Sequence, residues 1–167
     1  MIVTEIKYFL KSLPQLANEK KKENVSFFKK LKKRVPKQLD QIMQELHQDA
    51  FKHVDCLDCA NCCKTTGPLF TNRDVERIAK LFNLKPNAFI DQFLRLDEDN
   101  DYVLQSLPCT FLGEDNRCSI YDHRPKACQE FPHTDRKNFH QISHLTINNV
   151  GICPAAFKIV EAMKSRL

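Results

Sequence analysis

The residues of this 167-residue chain whose types and spacing can do chemistry are its eight cysteines: Cys56, Cys59, Cys62, Cys63, Cys109, Cys118, Cys128 and Cys153. The first four form a C-x2-C-x2-C-C run. Two intervening residues let a chain wrap a metal with successive sulfurs turned toward it and amides aimed at those sulfurs, so the run predicts a chelate loop. Three such cysteines plus a remote Cys-Pro is the arrangement that holds a cubane iron–sulfur cluster, and Cys153-Pro154 supplies the remote element. Zinc sites usually pair one C-x2-C with a second C-x2-C or with H-x3-5-H, and no second pair exists here. Spacing therefore favours iron–sulfur over zinc, although thiolates are soft enough for either. Cys62 and Cys63 leave the backbone in different directions, so serving one small centre from both strains the loop. Two centres, or one spectator thiol buried as a small hydrophobe, follow. Cys109, Cys118 and Cys128 are then the source of the remaining ligands. Arg124 stands between Cys118 and Cys128 in sequence, where a guanidinium would offset thiolate charge and donate to sulfur without binding the metal.

The rest of the composition narrows the chemistry. With Gly67, Gly113 and Gly151 as its only glycines, the chain cannot spell a dinucleotide-binding turn or a phosphate loop. No apolar run approaches the roughly 20 residues of a membrane span. The start, Met1 to Lys7, carries Glu5 and Lys7 where a secretory leader needs an unbroken apolar stretch, so a reducing cytoplasm and thiols rather than disulfides are expected. The net charge is +5, and residues 1–55 hold 12 Lys/Arg against 7 Asp/Glu, whereas 56–167 balance at 14 each. Glu19 to Lys37 holds nine of these basic residues, interrupted by Val25, Phe27, Phe28, Leu31 and Val35 near helical spacing.

The elements that must position the cysteines follow from period and punctuation. The first 55 residues read as helices broken at Pro14 and Pro36. The last of them has an apolar stripe through Leu39, Ile42, Met43, Leu46, Ala50 and Val54. A compact loop, Cys56 to Thr66, comes next. Thr71 and Asp74 predict a capping box ahead of a helix burying Val75, Ile78, Ala79 and Phe82. Pro86 opens a second helix containing Phe89, Phe93 and Leu94. Hairpins are expected around Asp97–Asp101 and around Gly113–Asn116, the second between Cys109 and Cys118. A helical turn at Pro125–Cys128, a strand over 139–148 and a helix from Pro154 to Leu167 complete the expectation.

Cys56-Leu-Asp-Cys-Ala-Asn-Cys-Cys63, Pro108-Cys-Thr-Phe-Leu112, Cys118-Ser-Ile-Tyr121, Arg124-Pro-Lys-Ala-Cys-Gln-Glu-Phe-Pro132 and Cys153-Pro154 together resemble the YkgJ-type cysteine-cluster family, the CxxCxxCC zinc- or iron-chelating domains. The resemblance covers about Cys56 to Phe157 and leaves the basic front outside. It implies chelation of a metal, as zinc or as an iron–sulfur cluster, and some relatives are called flagellin lysine N-methylases. Gln129 stands where members often have Arg, and His133 where they often have an aromatic.

The expected fold is α+β: a small cysteine-rich metal-binding domain of short helices and hairpins over residues 56–167, behind a helical N-terminal extension over 1–55. The expected function is metal binding through all eight thiolates, iron–sulfur before zinc, in electron transfer or cluster handling. Two rivals are a cluster-dependent modification enzyme and a zinc module binding nucleic acid through the basic segment. The chain lacks a glycine-rich S-adenosylmethionine loop, and spacing identifies no Ser/His/Asp set or carboxylate pair, so enzymatic activity is left open. The expected partner is a metal ion or cluster, with no protein partner identified. The basic segment is expected to be a solvated face, with nucleic acid the less favoured reading.

Overall fold

The computed structural model describes residues 3–167, with side chains from Ile6 onward. Met1 and Ile2, where the leader reading begins, lie outside the described residues. The chain divides into two compact units that do not follow chain order. The first joins residues 1–59 to 132–167, and the second is 60–131.

The first unit is helical. It contains α1 (Val3–Lys33), α2 (Leu39–Phe51), α3 (Cys56–Cys59), a 3-10 turn at Phe139–Ile142, α8 (Ser143–Val150) and α9 (Pro154–Arg166). Helix α9 packs on α1, α2 and α8. Ile6, Leu13, Phe28 and Leu31 of α1 are buried with Leu39, Met43, Phe139, Ile159, Val160 and Met163. Pro14 lies inside α1 and does not end it, contrary to expectation. A proline costs a helix interior about 3 kcal/mol, and the apolar stripe that α1 buries on both sides of Pro14 outweighs this. Pro36 does fall in a break, between α1 and α2.

Residues 139–150 are helical, not the expected strand. Their buried positions, Phe139, Ser143, Thr146, Asn149 and Val150, recur at mostly three- and four-residue intervals, but three of them are polar. Each is satisfied by backbone: Ser143 Oγ donates to His140 O (2.8 Å), Thr146 Oγ1 to Ile142 O (3.1 Å) and Asn149 Nδ2 to Pro132 O (3.1 Å). A hydrogen-bonded polar stripe is invisible to a reading of apolar periodicity.

The second unit holds α4 (Asn61–Thr65), β1 (Leu69–Phe70), α5 (Asn72–Leu81), α6 (Pro86–Phe93), β2 (Leu94–Leu96), β3 (Tyr102–Leu104), a 3-10 turn at Tyr121–His123 and α7 (Lys126–Glu130). The expected hairpin is β2–β3, in antiparallel register Leu94↔Leu104, and β1 joins as a third strand in the order β1-β3-β2. The expected Cys56–Thr66 loop is instead the two short helices α3 and α4, separated by Ala60 at φ 47°. Between Cys109 and Cys118 the hairpin is reduced to a single bridge, Leu112↔Cys118, closed by Gly113 N to Arg117 O (2.7 Å) and Ser119 N to Phe111 O (2.8 Å). Phe111 of this loop stacks on Phe89 (6.3 Å between centroids) and meets Phe93 at 5.4 Å, in a core with Phe70, Val75, Ile78 and Ile120. Cys109 and Cys118 pack against that core, which fixes the loop carrying them.

Candidate metal centre

None of the eight cysteines is in a disulfide. In the second unit, Cys63, Cys109, Cys118 and Cys128 form one group. The thiols of Cys109, Cys118 and Cys128 each feel the charge of Cys63, and those three feel one another, so all six pairs interact. Cys63 stands on α4, and its carbonyl accepts from Cys109 N at 2.8 Å. Cys128 stands on α7, opened by Pro125, whose carbonyl accepts from Cys128 N at 2.9 Å.

Local backbone prepares these sulfurs for charge. The amides of Phe111 and Leu112 are directed at Cys109 sulfur, and that of Ile120 at Cys118 sulfur. Amides two and three residues beyond a cysteine stabilise its thiolate without competing for the metal. Burial works the other way. It pushes the Cys109 thiol up to about 11, with Cys63 and Cys118 adding repulsion, and the Cys128 thiol up to about 12, with all three neighbours adding repulsion. Burial also raises Cys118. Cys63 alone goes down, to about 7, because the Cys62 thiol donates to its sulfur; burial opposes this and the Lys64 ammonium assists. The metal-free group therefore favours at most one thiolate among four. Three further thiolates repel one another in a half-buried place, and a cation in their midst removes that repulsion.

Arg124 supplies one positive charge from the protein, lowering both Cys118 and Cys128. Its guanidinium lies over the Tyr121 ring at 4.0 Å from the centroid, and its Nη1 donates to Tyr121 O at 2.7 Å. The turn that carries Arg124 is held from α5. Asp74, 4% exposed, accepts from Lys126 N (3.2 Å), Arg77 Nη2 (2.8 Å) and both the amide and hydroxyl of Thr71 (3.1 and 2.7 Å). Arg77 in turn donates to His123 O (2.5 Å) and Arg124 O (3.1 Å). Burial alone would raise the Asp74 carboxyl, but the bonds from Thr71, Arg77 and Lys126 outweigh it and hold the carboxyl below its usual range. The capping box was readable from Thr71 and Asp74; their reach to residue 126 was not, because only the tertiary fold brings it about.

In the first unit, Cys153 precedes α9, and the amides of Ala155 and Ala156 are directed at its sulfur. Burial pushes its thiol up to about 12, and Cys56 and Cys59 of α3 add to the rise. These three thiols form a second group. Cys62 is placed by its hydrogen bond to Cys63. The spacing argument is thus divided: Cys56 and Cys59 keep company with Cys153, whereas Cys63 joins the cysteines beyond residue 100. Among the described residues no three or more His, Cys, Asp or Glu side chains stand together in an arrangement that could hold a metal ion as they are, so the thiols must move to close on one. The donor chemistry nevertheless fits a soft metal or cluster: all-sulfur groups, amides aimed at sulfur, and a nearby cation.

No described helix is long and apolar enough to cross a membrane. No solved structure matches the chain. The chain does match the CxxCxxCC family, described as "Putative zinc- or iron-chelating domain", over residues 55–146, which takes in seven of the eight cysteines and leaves Cys153 beyond it. More than half of the sequence is covered, and the chain therefore belongs to the CxxCxxCC family of metal-chelating cysteine domains.

Proposed function

We propose that this chain holds an iron–sulfur cluster through cysteine thiolates, at the Cys63, Cys109, Cys118 and Cys128 group, and uses it in electron transfer or cluster handling in a reducing cytoplasm. What supports the reading is that these four cysteines lie in one unit near enough to raise or lower one another's titration, with Cys109 N donating to Cys63 O at 2.8 Å. Amides directed at two of the sulfurs and the Arg124 charge supply what a buried, negatively charged cluster requires. When bound, the cluster would supply a one-electron redox couple; the thiolates would hold it and the Arg124 guanidinium would offset part of its charge. Cys56, Cys59 and Cys153 form a second thiolate group, whose Cys-Pro element also suits a cluster. Cys62 acts on the first group through Cys63.

A second reading, structural zinc, rests on the same four-thiol set, since four thiolates with amide support equally satisfy tetrahedral zinc. The test is analysis of anaerobically purified protein for iron, acid-labile sulfide and zinc, with an absorption spectrum. Brown protein with sulfide and dithionite-bleachable absorption supports the cluster. Colourless protein with stoichiometric zinc, and no cluster after reconstitution, leaves the zinc reading. Failure to bind any metal overturns both.

A further inference from the structure

We propose that the first unit carries a nucleic-acid-binding face, built from the second half of α1 and the segment before Phe139 and independent of the cysteine groups. Lys21, Lys22, Lys29, Lys32 and Lys33 are exposed and, at 100° per residue, share one side of α1, with Lys30 at its edge. The buried residues Leu31, Asn24 and Phe28 occupy the adjoining side, between about 280° and 340° when Lys21 is set at 0°. From Lys21 to Lys33 the face is about 18 Å long. Arg34 and Lys37 continue it into the turn before α2.

The tertiary structure adds a second basic run that the sequence places a hundred residues away. Asp40, in the first turn of α2, accepts from Asn138 N (2.7 Å) and Phe139 N (3.1 Å), and the Phe139 ring meets Phe28 of α1 at 6.0 Å. Exposed Arg136 and Lys137 immediately precede this anchor, so they are brought to the end of α1 and α2 where Lys29 to Lys37 collect.

Among the described residues none of these cations has an anionic partner, whereas most neighbouring acids are engaged, Glu19 by Gln15 and Asp135 by His47 among them. Glu23 is paired with Lys20 and Lys164, Glu161 with Lys20 and Lys164, Glu45 with Arg166, and Asp40 with the two amides. A face with its own counter-charges already used elsewhere retains its attraction for a polyanion. Eight of the ten cations are lysines, point charges suited to a repeating phosphate backbone and not to bidentate reading of single side chains. A lipid surface fits less well, because Phe28 and Leu31 of α1 are buried within the unit and the basic stretch from Lys21 to Lys37 exposes only the small apolar residues Val25 and Val35 among its cations.

The test uses the full chain and a fluorescein-labelled 20-base-pair DNA duplex of mixed sequence, read by anisotropy from 50 to 300 mM salt. Binding is expected whose log affinity falls against log salt with a slope of about −4 to −5, reporting about five phosphate contacts. The triple variant Lys29→Gln/Lys33→Gln/Lys137→Gln should lower affinity at 50 mM salt at least about tenfold and reduce the slope by about 2 to 3. A charge-matched control in the second unit, Lys80→Gln/Lys85→Gln/Arg95→Gln, should leave both nearly unchanged. Circular dichroism and metal content confirm that each variant is folded. Absence of binding at 50 mM salt, equal losses in the two triple variants, or stronger binding to phosphatidylserine vesicles than to DNA would overturn the proposal.

Discussion

Replacing Arg77 by Gln should damage the metal group without touching a cysteine. Among the described residues the guanidinium is the only cation bonded to the Asp74 carboxylate, which is 4% exposed, and it also donates to the carbonyls of His123 and Arg124. Breaking a buried ion pair from one side costs about 3 to 5 kcal/mol. The Arg77 side chain is 38% exposed, so water screens part of this, and the amides of Thr71 and Lys126 still hold the carboxylate. The expected loss is therefore about 2 kcal/mol. It is to be read from urea denaturation of the metal-free variant. Freeing the turn also loosens Arg124 and the approach to Cys128, so zinc affinity by chelator competition should fall about 10- to 100-fold, as when groups supporting metal ligands are removed. Asp74→Asn adds a pH signature. A carboxyl held low stabilises the fold above its unfolded pKa, and that stability is lost as pH falls through the folded value; the Asn variant should lack this acid-dependent component. An Arg77→Gln protein within about 0.5 kcal/mol of the parent and equal in zinc affinity would refute the clamp.

Two further predictions concern the thiols. Cys63→Ser should remove metal from the second unit's group, whereas Cys62→Ser should leave it bound while raising the pH at which Cys63 reacts with iodoacetamide in metal-free protein from about 7; equal metal loss from both variants contradicts the distinction. Metal-free protein should lose stability in alkali, because Cys109 is raised to about 11 and Cys128 and Cys153 to about 12 from the usual 9.0. Raised thiols contribute full stability below pH 9.0, and the contribution declines toward the folded values, by about 1.4 kcal/mol per pH unit for each thiol kept neutral. Metal-loaded protein, whose ligands are already deprotonated, should show a much flatter urea midpoint between pH 8 and pH 10.

What could be read in advance was local. Thr71 and Asp74 cap α5 as a box, Pro86 opens α6, and β2 and β3 flank the acidic turn, because each feature is settled by neighbours a few residues away. Cys109, Cys118 and Cys128 could be named as candidate ligands by residue type. Their company could not. The C-x2-C-x2-C-C run looks continuous, yet Ala60 turns left-handed between Cys59 and Asn61, and the run is divided between the two units there. Tertiary packing also overrode local cues at Pro14, and the buried side of α8 hid its period behind Ser143, Thr146 and Asn149.

X-ray absorption at the metal edge of loaded Cys56→Ser/Cys59→Ser/Cys153→Ser protein tests the central claim most directly. This variant retains only the second unit's thiols, and its fold is checked by circular dichroism. The account predicts metal in an all-sulfur shell of four ligands, at about 2.3 Å for thiolate on zinc and with iron neighbours if a cluster is present. A shell containing nitrogen or oxygen, or folded protein that binds no metal, would contradict a centre complete in Cys63, Cys109, Cys118 and Cys128.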